Sequence, residues 1–89
     1  MQIQVLTPTG KIFEGNCTAV IVPGSGGEFE VLQNHAAIVS SLEPGNVRIT
    51  LSDGTKKTFS IQSGFVEVLK NDQLIVVWVD TLFHTSGIL

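Results

Sequence analysis

This sequence predicts an all-β fold: a two-sheet β-sandwich of about nine to ten short, mostly antiparallel strands. Three observations carry that prediction. Segments rich in β-branched and aromatic residues recur at intervals of about ten residues, as they do in sandwiches. Turn signals containing Gly, Pro, Asn or Asp separate them, and no stretch shows the apolar period of a helix.

In chain order the segments are roughly Gln2–Leu6, Lys11–Phe13, Cys17–Val22, Glu28–Leu32, Ile38–Leu42, Val47–Leu51, Lys56–Gln62, Phe65–Leu69 and Leu74–Val79. The run Pro23-Gly24-Ser25-Gly26-Gly27 breaks the chain too firmly for a helix to cross. Pro44-Gly45 combines a fixed φ with a residue free to take positive φ, which predicts a type II turn. Asp53-Gly54 is a hairpin dipeptide, since both central positions of a type I′ turn need positive φ, so the segments on either side should pair antiparallel. Gly64 and Asn71-Asp72 punctuate the later segments. Alternation assigns faces: Val47, Ile49 and Leu51 point one way and Arg48 and Thr50 the other, and Phe59 and Ile61 oppose Thr58 and Ser60. Leu74–Val79 is apolar on both sides, which predicts a strand covered on one face by its own sandwich and on the other by a further strand, loop or subunit.

Eighty-nine residues suffice for one core. With 43% apolar and only 15% charged residues, burial must carry the fold, and part of the surface is expected to meet a partner. The net charge is −3 and the five basic residues are scattered, so there is no stripe for a nucleic-acid backbone. A single Cys17 forms no internal disulfide, which favours a reducing, cytoplasmic setting. The start has no basic region followed by an apolar stretch, and the run Leu74–Val79 is far shorter than the roughly 20 residues of a membrane-spanning helix.

Catalytic readings find little support. The cluster PGSGGEF has the glycines of a phosphate loop, but Glu28 and a strand follow where Lys, Ser or Thr and a helix are needed. Cys17, His35 and His84 lack metal-ligand spacing. Cys17 with His35 is the one nucleophile and base pair on offer for a small hydrolase, with no orienting group or oxyanion cradle visible; a buried, inert thiol is the plainer reading. Asn16-Cys17-Thr18 is a formal glycosylation sequon, and Lys56-Lys57 reads as a solvated edge that discourages strand addition.

The run PGSGGEFEVLQNHAAIVSSLEPGNVRI resembles the signature P-G-x-x-G-E-x-x-x-L-x-x-H-A, then an apolar segment, a Pro-Gly turn and Val-Arg-Ile, of the epsilon subunits of F-type ATP synthases. Leu6-Thr7-Pro8, Gly10-Lys11, Phe13-Glu14-Gly15 and Gly64-Phe65-Val66-Glu67-Val68 extend the resemblance over residues 1–80. Departures are Ser63 for a first glycine, Gln33 and Ala37 for prolines, and Glu30 for glycine. The resemblance implies a β-sandwich domain over 1–80 and a short tail over 81–89, without the helical hairpin of longer members. On that expectation the chain neither inhibits hydrolysis by extending helices nor senses nucleotide, since nine residues are too few for two packed helices.

What the resemblance implies for function is a non-catalytic subunit of the central stalk, without cofactor, at the cytoplasmic face of a bacterial inner membrane. It would bind the gamma subunit and the c-ring of Fo and couple ion-driven rotation to ATP synthesis. Glu28 and His35, the E and H of the motif, are the c-ring contacts so implied, on loops at one end of the sandwich, with a pH-sensitive element at His35. Thr7 and Ser40 are the implied gamma contacts, flanked by Ile38, Val39 and Leu42. The alternatives are a solvated turn carboxylate at Glu28 and a loop histidine satisfying backbone groups at His35. At the level of the whole chain, the alternative is a free-standing β-sandwich module that binds a ligand or protein.

Overall fold

The computed structural model describes residues 1–33, 35–69 and 74–80, and the backbone of 82–84. Among these residues nine strands follow one another: β1 Gln2–Thr7, β2 Gly10–Gly24, β3 Gly27–Leu32, β4 Ile38–Leu42, β5 Gly45–Leu51, β6 Lys56–Ile61, β7 Gly64–Leu69, β8 Leu74–Val79 and β9 Leu82–His84. Among the described residues no helix interrupts them, as the sequence predicts.

The division of the strands differs from the prediction at one point. Lys11–Phe13 and Cys17–Val22 are a single strand of 15 residues, β2. Gly15 and Asn16 do not break it, because they pair with Ile3 and Gln2 of β1. β2 is shared by two layers. Its first half pairs with β1, which runs parallel to β8, and the order continues through β7 to β4. Its second half lies between β3 and β5, beyond which come β6 and β9. The change of partner coincides with a register shift between Cys17 and Ala19, the local bend that lets one strand serve two sheets. β9 lies beyond the last predicted strand and pairs antiparallel with β6.

Period-two burial fills the space between the layers. Ile3 and Val5, Val20 and Val22, Val47 and Ile49, Phe59 and Ile61, Val66 and Val68, and Ile75, Val77 and Val79 all point inward and are buried. Among the described residues no polar or charged side chain joins them. Cys17 is in this core as a free thiol, and burial pushes its pKa up, away from the reactive thiolate.

Three turns depart from the expected geometry. The β5–β6 hairpin is antiparallel as predicted, but its loop is Ser52-Asp53-Gly54: Gly54 N donates to Leu51 O at 2.9 Å, and Leu51 N donates to Thr55 O at 2.8 Å. Gly54 alone carries the left-handed φ, +91°, while the Asp53 carboxylate accepts from Thr55 N at 2.9 Å. Gly45 is not a left-handed turn residue but the first residue of β5; a Cβ there would stand 2.9 Å from Pro23 Cβ. Gly64 opens β7, and a side chain there would run into the Trp78 carbonyl of β8. The expected break at Asn71-Asp72 lies outside the described residues.

Candidate protein interface

β8 explains why its sequence is apolar on both faces. Ile75, Val77 and Val79 enter the core, so Val76 and Trp78 point to the outside of the β4-β7-β8-β1 layer. The register aligns Trp78 with Phe65 of β7 and Leu6 of β1, and Phe65 with Ser41 of β4. In the adjacent row Val76 lies between Glu67 and Gln4, and Glu67 opposite Val39. Val39 is 68% exposed, Phe65 41% and Trp78 39%. The two rings stack with centroids 5.9 Å apart and planes 25° from parallel. Val76 is buried, although it faces outward. Such a surface, with a stacked aromatic pair beside Ser41 and a single carboxylate, Glu67, set between Val39 and Val76, carries the exposed aromatic area that protein interfaces use.

The residues implied as gamma contacts lie at the margins of this patch. Thr7 shares the inward parity of Ile3 and Val5 and closes the β1–β2 turn, its Oγ1 donating to Gly10 O at 3.1 Å. Ser40 shares the inward parity of Ile38 and Leu42, and its hydroxyl donates to Ser41 O at 3.1 Å. Of the three apolar residues around Ser40, Leu42 is buried, Ile38 packs on the core, and only Val39 is available to a partner. In each strand the outward residue is the neighbour: Leu6 beside Thr7, Val39 and Ser41 beside Ser40.

The two residues implied as ring contacts are not brought together. Glu28 is in strand β3, not in a loop, opposite Pro23 and beside the β2–β3 hairpin. His35 lies past the other end of β3, with His35 N donating to Leu32 O at 3.1 Å and Nδ1 donating to Ala36 O at 2.7 Å. Glu28 to Leu32 alone spans about 13 Å of extended chain. The Glu28 carboxylate is paired across β2 with Arg48 of β5, Oε1 to Nη2, at 2.8 Å.

A third surface feature is an open depression of about 310 Å³ where Phe13, Gly15 and Leu51 meet Glu14 and Asp53. Its carboxylates are occupied. Glu14 accepts from Lys11 Nζ at 2.7 Å and Gln4 Nε2 at 3.2 Å, and these donors hold its carboxyl below the usual range. Asp53 is held low by the Thr55 amide. Among the described residues no group of three or more His, Cys, Asp or Glu is placed to hold a metal, and no helix is long and apolar enough to cross a membrane.

Sequence reasoning named Val39 beside Ser40 but did not single out Phe65, Trp78 or Arg48 as candidate surface residues. Parity was the available signal: once Ile75, Val77 and Val79 are core, Trp78 must face outward.

Comparison with known proteins agrees with this architecture. The family model described as the ATP synthase delta/epsilon chain β-sandwich domain matches residues 1–84. The ATP synthase epsilon chain of a Nitratiruptor species is 40% identical over 77 residues, covering 86% of this chain and 60% of its own length. That of Chlorobaculum tepidum is 39% identical over 74 residues, covering 83% of this chain and 84% of its own. This chain thus spans about three fifths of the first relative and most of the second. In fold it is similar to a chain in the cryo-EM structure of the Euglena gracilis mitochondrial ATP synthase (OSCP/F1/c-ring in rotational state 1), with a TM-score of 0.86, 20% identity, and coverage of 98% of this chain and 54% of that one. With its motif, its two layers and its matched length in agreement, the chain belongs to the β-sandwich family of ATP synthase delta/epsilon chains.

Proposed function

We propose that this chain is a non-catalytic central-stalk subunit of a bacterial F-type ATP synthase, which links the gamma subunit to the c-ring at the cytoplasmic face of the membrane and needs no cofactor. One observation carries the reading: a member of this family exposes a stacked Phe65–Trp78 pair with Val39 on the outside of one layer, while its core is complete without them. Gamma takes the apolar patch, and meets the segments of Thr7 and Ser40 through their outward neighbours Leu6, Val39 and Ser41. The c-ring meets the other layer through Glu28 and His35, a contact that has to run the length of β3 to include both. Two separate contacts account for a surface with so little charge.

Trp78 is the only tryptophan, which makes the test direct. Gamma subunit added to the full chain is expected to shift Trp78 emission to the blue and quench its access to iodide. Unchanged emission on a complex shown to form by sedimentation would place gamma elsewhere.

The exposed ring pair also favours a second reading, a free-standing module that stacks a sugar on Phe65 and Trp78. Titration of oligosaccharides against the same emission separates the two, since gamma alone is expected to move it.

A further inference from the structure

Glu28 and Arg48 are on strands that do not touch, separated by β2. The register makes Glu30, not Glu28, the carboxylate in line with Arg48, because both face Ile21. The guanidinium nonetheless reaches diagonally to Glu28, and the described residues include no salt bridge at Glu30. Of the two outward carboxylates on β3, one is therefore held and the other is not. Both paired side chains are about half exposed, at 48% and 54%, so the pair adds little to folding stability. What the cation does supply is a place: it draws one carboxylate oxygen of Glu28 toward β5.

The geometry points to Arg48 as the positioning residue for Glu28. It draws Oε1 to 2.8 Å and so biases where the carboxylate stands when a donor on the partner arrives. Part of the cost of ordering a long side chain on binding is then met before the partner arrives. The inference rests on the reading that Glu28 touches the c-ring, and it names the group that prepares that contact. The partner chemistry is an N–H or cationic donor on a polar loop of the ring, arriving against a carboxylate already drawn into place.

The test is a double-mutant cycle with the full chain and the detergent-solubilised c-ring of the same synthase, measured by surface plasmon resonance. Arg48→Gln is expected to weaken binding by about two- to fivefold. The loss should disappear in a Glu28→Ala background and be partly recovered by Arg48→Lys, with the thermal midpoints of the single variants unchanged. An equal loss with and without Glu28 would mean that Arg48 acts on its own, and overturns the inference. Weakening by Glu28→Ala but not by Arg48→Gln also overturns it, leaving the Glu28 contact intact. No weakening by Glu28→Ala removes the contact itself and the positioning role with it.

Discussion

Asp53 shows how a single side chain sets both local shape and a response to acid. Its carboxylate accepts the Thr55 amide, so the folded chain binds a proton there less readily than the unfolded chain does. A lowered carboxyl contributes stability that is fully present above the ordinary carboxylate range and is lost as pH falls through the folded value. Glu14, lowered by Lys11 and Gln4, acts in the same direction. The thermal midpoint is expected to drop on titration below about pH 4, and less steeply in Asp53→Asn, as scanning calorimetry at several pH values would measure. The glycines divide by cause. Gly54 is needed for its left-handed φ, whereas Gly45 and Gly64 are needed because Pro23 and the Trp78 backbone leave no room for a Cβ. A turn dipeptide is legible in a sequence; a close approach between residues far apart is not. Pro44-Gly45 is for that reason not the turn its sequence suggests, and the Asp53-Gly54 turn sits one residue out of its expected place.

At the scale of the element, β8 separates folding from binding within one strand. Ile75→Ala removes a fully buried side chain and is expected to cost about 2–5 kcal/mol in urea unfolding. Trp78→Ala, three residues on and facing out, gives up about 0.5–1.5 kcal/mol of stacking on Phe65 beyond the apolar area the ring still buries. Gamma affinity should fall by about 2 kcal/mol or more on loss of this central anchor, and hardly at all for Ile75→Ala while it stays folded, by titration of the two variants. Equal losses of gamma affinity from the two folded variants would contradict this division. Most strands were legible, because alternation and turn signals are local. The fusion of two segments into β2 was not, since what keeps Gly15 and Asn16 extended is pairing with Ile3 and Gln2, remote in sequence. The candidate surface was half legible: the motif marked Glu28 and His35, and the apolar excess of β8 was visible, but the Phe65–Trp78 row with Val39 in the row beside it exists only once β4, β7 and β8 are side by side.

For the molecule as a whole, pairing is dominated by partners distant in the chain, above all the parallel β1–β8 ladder that joins Gln2–Leu6 to Leu74–Trp78. Folding is therefore expected on the millisecond-to-second scale with a single cooperative transition, to be followed by stopped-flow Trp78 fluorescence; microsecond folding would contradict it. The same connectivity bears on how the molecule carries a load. Because β2 belongs to both layers, a push on the Trp78 side reaches the Glu28 side along unbroken covalent backbone instead of crossing a seam of apolar side chains. The layers have no hinge between them at that strand, so one side cannot turn far relative to the other without tearing several ladder bonds at once.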